Sequence, residues 1–248
     1  MLRGFYTAAS GMLMQQRNLN VFSNNIANVK TPGFKVERVV STTFEQALLT
    51  RQEAGNTAVI GSGDPIKMVE DVASVFDPSL LEETGRPFDV AINGEGYFTI
   101  QSEDKQFLTR NGNFDLDAEG YLVLPGAGRV MGERGEIQPK SSNFMIAPDG
   151  TVYDSKNKVL DKITVSLPAK DVKLEKFSNG LYTVEDFETN VPAEESTLVQ
   201  GTTERSNIDL NREYTMVMEA QRAFQACSEA LKIVDAMNQK SATQIASI

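Results

Sequence analysis

Side chains able to carry out chemistry are scarce in this chain of 248 residues: it has one cysteine and no histidine at all. A Ser-His or Cys-His nucleophile system therefore has no base, and the commonest zinc ligand is missing. Cys227 falls on the apolar stripe of a helical segment, where a free thiol behaves as a small hydrophobe, and a single cysteine excludes a bridge within the chain. Carboxylates remain. Asp115-Leu-Asp117-Ala-Glu119-Gly120 opens like a calcium loop, but the twelfth position of such a loop is Gly126, where a bidentate Glu is required. Its flanks read as strands, so a turn explains these acids better. Gly94-Glu95-Gly96 is followed by Thr99 where a dinucleotide fingerprint needs glycine, and no helix follows. Glu82 with Glu83, or Glu194 with Glu195, could act as glycosidase acids, yet no pattern sets either pair across a cleft. No catalytic residue, cofactor site or metal site is expected.

What must be positioned instead is apolar. Phe5, Met12, Leu19 and Ile26 recur every seven residues, and Ala8, Phe22 and Val29 fill most of the companion position. Near the other end Leu210, Val217, Phe224 and Leu231 repeat the spacing, with Ala220, Cys227 and Val234 three residues behind. Heptad stripes want a helical partner, and the simplest partner for one end is the other. The fold class expected is α+β: paired N- and C-terminal helices forming a coiled-coil-like domain, with an antiparallel β-rich domain inserted between them.

Composition agrees with a folded chain. Hydrophobic residues make up 40% and charged residues 23%, and the net charge is −10 without a basic cluster. That balance argues against a nucleic-acid or anionic-membrane partner, whose phosphates bind clustered cations. No stretch approaches the ~20 apolar residues of a membrane span, and no apolar h-region follows Arg3, so a cleavable signal peptide is not expected.

The first helix is expected from about Phe5 to Asn28, ending at Thr31-Pro32-Gly33. Its polar positions are amides, among them Asn24, Asn25 and Asn28. Packed between helices, such groups donate and accept at once without the desolvation cost of a charge. Thr43–Arg51 could form a short helix, Gly55–Asp64 reads as a loop, and Val69–Phe76 alternates weakly. Beyond Pro87 the period becomes two, punctuated by Asn93-Gly94, Asn111-Gly112, Glu119-Gly120, Asp149-Gly150 and Asn179-Gly180, the signature of hairpins. Phe88, Tyr97, Phe98, Phe107, Phe114 and Tyr121 offer this domain a core of its own. The last helix is expected after Ser206-Asn207, with Ser206 and Asp209 as a capping box, and contains no Gly or Pro through Ile248. The boundaries expected are 1–35 and 205–248 for the helical domain, 36–86 for a connecting segment and 87–204 for the β-rich domain.

Three groups of residues carry a family resemblance. Gly4-Phe5-Tyr6-Thr7-Ala8-Ala9-Ser10-Gly11-Met12, with Ser23-Asn24-Asn25-Ile26-Ala27-Asn28 and Thr31-Pro32-Gly33-Phe34-Lys35, resembles the N-terminus of the bacterial flagellar rod and hook proteins. Asp89-Val90-Ala91-Ile92-Asn93-Gly94-Glu95-Gly96-Tyr97-Phe98 is similar to that family's entry into its β domain. Ser206-Asn207-Ile208-Asp209-Leu210 and Ala220-Gln221-Arg222-Ala223-Phe224-Gln225-Ala226 resemble its C-terminal helix. The resemblance implies a structural subunit of the flagellar basal body, exported by the flagellum's type III apparatus without cleavage and stacked helically with copies of itself and other axial proteins. The length fits the proximal and distal rod proteins better than the hook protein, which usually carries an extra outer domain. Phe5, Met12, Leu19, Phe22, Asn24, Asn25, Ile26, Asn28, Leu210, Val217, Phe224 and Leu231 are the expected self-assembly residues. A flagellar hook subunit stands as the alternative, and behind it a non-flagellar helical adaptor or a carboxylate-dependent soluble enzyme.

Overall fold

The structure is a computed structural model, and it describes residues 2–43, 47–53, 56–63, 67–102, 105–168, 174–178, 180–184, 191–192 and 196–246. The chain divides into two units, Met1–Ala27 with Val36–Val75 and Ile208–Ile248, and Asn28–Lys35 with Phe76–Asn207. The acids Glu194 and Glu195 lie outside the described residues.

The first unit is built from two long helices and two strand pairs. Helix α1 runs Leu2–Ala27 and α2 runs Leu210–Ala246. Strand β1 (Glu37–Thr43) pairs antiparallel with β4 (Lys67–Ser74), and β2 (Ala47–Glu53) pairs with β3 (Asn56–Gly63). Two expectations fail here. Thr43–Arg51 is not a short helix, because Thr43 ends β1 and Ala47 opens β2; Gly55–Asp64 is not simply a loop, because Asn56–Gly63 is β3. The backbone groups of these strands pair across each ladder, and β-branched Val39 and Val40 suit the pleat of β1. The expected capping box at Ser206 does not form either. Asp209 caps α2, its Oδ1 accepting from the N–H groups of Asn211 at 3.0 Å and Arg212 at 3.3 Å, while Ser206 Oγ has no hydrogen-bond partner among the described residues.

The second unit is antiparallel β structure: β5 (Leu81–Glu83), β6 (Val90–Asn93), β7 (Tyr97–Ser102), β8 (Lys105–Thr109), β9 (Asp115–Leu116), β10 (Leu122–Leu124), β11 (Gly128–Val130), β12 (Met145–Ile146), β13 (Thr151–Tyr153), β14 (Val159–Lys162), β15 (Val165–Leu167), β16 (Glu175–Ser178), β17 (Leu181–Thr183), β18 (Val191–Pro192), β19 (Thr197–Gln200) and β20 (Thr202–Glu204). The main sheet has the order β16-β17-β8-β7-β11-β10-β9, with β15 joining β7 to β18. Smaller groups are β12-β13-β14, β19-β6 and β20-β5. Glu119-Gly120 and Asp149-Gly150 lie between strands that pair with each other, as the turn chemistry requires, whereas Asn179 of the expected Asn179-Gly180 turn lies outside the described residues. Asn93-Gly94 does not close a hairpin: β6 pairs with β19 and β7 with β8, so the chain turns out of one sheet into another there. Phe98 and Phe114 are fully buried and meet edge to face at 5.1 Å, within a core that includes Val90, Ile100, Leu122, Val130, Ile137 and Val152. Phe88 packs on Phe144, and Tyr121 is half-buried beneath the Arg129 guanidinium at 4.0 Å.

Candidate functional site

α1 and α2 pack antiparallel at close range, and three layers define their register. Asn25 Nδ2 donates to Glu213 Oε2 at 3.1 Å; a Cβ on Gly11 would stand 3.2 Å from Cys227 Sγ, and one on Gly4 would stand 3.9 Å from Val234 Cγ2. The paired numbers 25/213, 11/227 and 4/234 share one total, 238, so the register runs unbroken for three heptads. The same total sets Ala220, 4% exposed, level with Asn18. Small residues at these heptad positions let the helices approach, which is why each layer holds a glycine, alanine, cysteine or compact amide.

Around this seam Phe5, Met12, Leu19, Ile26, Val217, Phe224 and Leu231 are half-buried, Phe22 is buried, and Leu210 is exposed at the start of α2. Of the three amides, Asn25 is fully enclosed, Asn28 is half-buried with its Oδ1 accepting from the Thr31 hydroxyl at 3.1 Å, and Asn24 faces outward. Asn25 also makes a two-way contact with β1: its Nδ2 donates to the Glu37 carbonyl and its Oδ1 accepts from the Glu37 N–H, both at 3.0 Å. Arg38, on the same strand, grips Glu213 with both guanidinium ends, at 3.0 and 2.5 Å, and stacks over the Phe22 ring. Gly4, Gly11, Arg38 and Glu213 were not among the expected site residues. The Gly4-Gly11-Asn18-Asn25 heptad was the available signal; its residues are not hydrophobic and escape a search for apolar stripes. A second set of large apolar residues on these helices points away from the pair: Tyr6, Leu13, Tyr214, Met218, Ile233 and Met237 are each more than half exposed.

The second unit has its own enclosed charges. Lys35, 2% exposed, donates to Glu204 Oε1 at 2.6 Å and to the Asp77 carbonyl at 2.9 Å, and Arg110 lies 3.5 Å from the other Glu204 oxygen. Gly33, at φ 66°, donates its N–H to the Glu204 carbonyl and abuts the Arg110 backbone. Phe34 is buried with the Lys176 ammonium 4.5 Å over its ring. Asp117 behaves as the turn residue expected: its Oδ1 accepts from the N–H groups of Glu119 and Tyr121, and Oδ2 pairs with Arg129, which also holds Glu119 and Glu136. The Tyr121 N–H, more than any other contact, holds this carboxyl below the usual carboxylate range. Burial pushes the Tyr97 hydroxyl well above the usual tyrosine range. Glu82 pairs with Arg205 on the surface and Glu83 is exposed. Among the described residues no three acidic or thiol groups converge as a metal site, and no helix is long and apolar enough to cross a membrane.

Paired terminal helices and an antiparallel β unit between them define a protein of α+β class. The sequence comparisons are specific. Residues 5–35 match the family described as flagella basal body rod protein, 91–154 the D1 domain of flagellar hook protein FlgE/F/G, and 199–245 the C-terminal region of the flagellar basal body rod FlgEFG proteins. The flagellar basal-body rod protein FlgG of Bacillus subtilis is 34% identical over 262 residues, covering 97% of this chain and 98% of that protein. The rod protein FlgF of Caulobacter vibrioides is 29% identical, covering 91% of each chain, whereas the hook protein FlgE of Treponema pallidum matches 53% of this chain and 30% of its own length. The chain belongs to the flagellar basal-body rod and hook protein family.

Proposed function

We propose that this protein is a structural subunit of the flagellar basal-body rod that assembles helically with copies of itself and with other axial proteins through α1 and α2, forming part of the drive shaft and export channel. The carrying observation is the double-sided apolar character of the helix pair. One face closes the seam, and the other presents Tyr6, Leu13, Tyr214, Met218, Ile233 and Met237 to the surroundings. At ~25 cal/mol per Å² of apolar surface, covering six such side chains supplies several kcal/mol per subunit. The half-buried stripe residues Phe5, Met12, Leu19, Ile26, Val217, Phe224 and Leu231, with Phe22, Leu210 and the amides Asn24, Asn25 and Asn28, form the assembly region; the segments 1–35 and 205–248 are its extent. Export through the flagellar type III apparatus without a cleaved signal peptide accompanies this role. The hook reading draws less support, since the hook relative is matched over only 30% of its length.

The test is sedimentation velocity on the full chain, alone and with Leu13→Glu, Met218→Glu and Ile233→Glu combined. These positions are outside the seam, so the triple variant should keep the helical circular dichroism of the parent. Concentration-dependent polymers should disappear, and motility should not be restored in a deletion strain. A triple variant that polymerises and restores swimming as the parent does would remove this surface from the assembly.

A further inference from the structure

The heptad stripes leave a question of register that apolar packing does not answer. Sliding α2 by one heptad along α1, ~10 Å, would place Cys227 against Gly4 or Asn18 and exchange one small residue for another in most layers. The apolar positions beside the seam repeat every seven residues, so a one-heptad slide preserves their spacing as well. Only one layer resists the slide. Glu213 is fully enclosed, receives Asn25 at 3.1 Å, and takes both ends of Arg38 at 3.0 and 2.5 Å. Arg38 is itself anchored to α1, because the neighbouring Glu37 backbone is held both ways by the Asn25 amide at 3.0 Å. Asn25, Arg38 and Glu213 therefore come from α1, β1 and α2, and meet in one arrangement only.

We propose that the Asn25–Arg38–Glu213 layer is a register lock, a polar device that selects the 238 pairing of α1 with α2 among heptad-shifted alternatives. The physical ground is that a charge moved one heptad loses both partners, and an unpaired enclosed carboxylate is far costlier than any mismatch among small apolar residues. The lock is a property of the single chain and stands apart from the assembly reading.

Cross-linking to the native Cys227 reads the register directly. Gly11→Cys, Gly4→Cys and Asn18→Cys are each oxidised in the full chain, at a dilution where size exclusion shows monomer, and intramolecular disulfides are quantified by mass spectrometry. With the lock intact, Gly11→Cys should outpace the other two by about tenfold or more, the margin one retained ion pair gives. In the Arg38→Met/Glu213→Leu background, which strands no charge, disulfides at position 4 or 18 should rise to rival that at 11. Glu213→Gln, which keeps an acceptor for Arg38, should preserve the preference for 11. Exclusive cross-linking at 11 in the apolar background would overturn the proposal, as would loss of all three disulfides there, which would make the layer necessary for pairing as such and not for its register.

Discussion

Replacing Lys35 with methionine keeps most of the length of the side chain and removes its charge from one of the most enclosed sites in the β unit. Lys35 and Glu204 are 2% and 4% exposed, and the ammonium supplies a 2.6 Å contact to the carboxylate and a 2.9 Å one to the Asp77 carbonyl. After substitution Glu204 retains the Ser79 N–H at 3.3 Å and Arg110 at 3.5 Å, so it is weakened without being stranded. Breaking a buried pair costs ~3–5 kcal/mol, and the surviving Arg110 contact places this case at the lower end, about 3 kcal/mol. With a urea dependence of ~2 kcal/mol/M, the unfolding midpoint of this unit falls by ~1.5 M. The chain has six tyrosines and no tryptophan, and Tyr97 and Tyr182 are buried in the same unit, so near-ultraviolet circular dichroism follows it specifically. Lys35→Met/Glu204→Leu removes both charges and should recover about half of the loss, ~1.5 kcal/mol, with Arg110 as the remaining unpaired group. A single variant whose midpoint moves by less than ~0.3 M, or a double variant no better than the single, would refute the reasoning.

Two further outcomes concern the turns of the second unit. Gly33 and Gly126 both have positive φ, but a Cβ on Gly33 would lie 2.4 Å from the Arg110 carbonyl carbon while one on Gly126 meets nothing within 4 Å; thermal melts should therefore show Gly126→Ala costing ~1 kcal/mol and Gly33→Ala clearly more, and equal losses would contradict the packing. For Asp117, whose carboxyl is held low by the Tyr121 N–H, the folded value lies below the unfolded one, so its stabilisation is complete above the usual carboxylate range and drains away as pH falls through the folded value. Asp117→Asn should flatten that acid limb in urea titrations repeated from pH ~5 to ~2, and an unchanged slope would exclude the turn as its source.

The sequence by itself determined the elements whose causes are local. Heptad spacing at both ends produced α1 and α2, and Glu119-Gly120 and Asp149-Gly150 each produced a hairpin because a turn and its two strands lie within a few residues of one another. Family membership was legible for a similar reason, since the motifs are contiguous and in order. Only the tertiary structure decided partners. Asn93-Gly94 has the local chemistry of a hairpin, yet β6 takes β19 from about a hundred residues away. Residues 47–53 and 56–63 are strands because they satisfy each other's backbone groups, a fact that neither segment's composition contains. The amide run in α1 announced a polar requirement, but the choice of Asn25, and of Glu213 as its partner 188 residues on, belongs to the fold. A buried carboxylate and the groups that neutralise it are brought together by the packing of distant segments, and spacing along the chain does not record which of many acids will be enclosed.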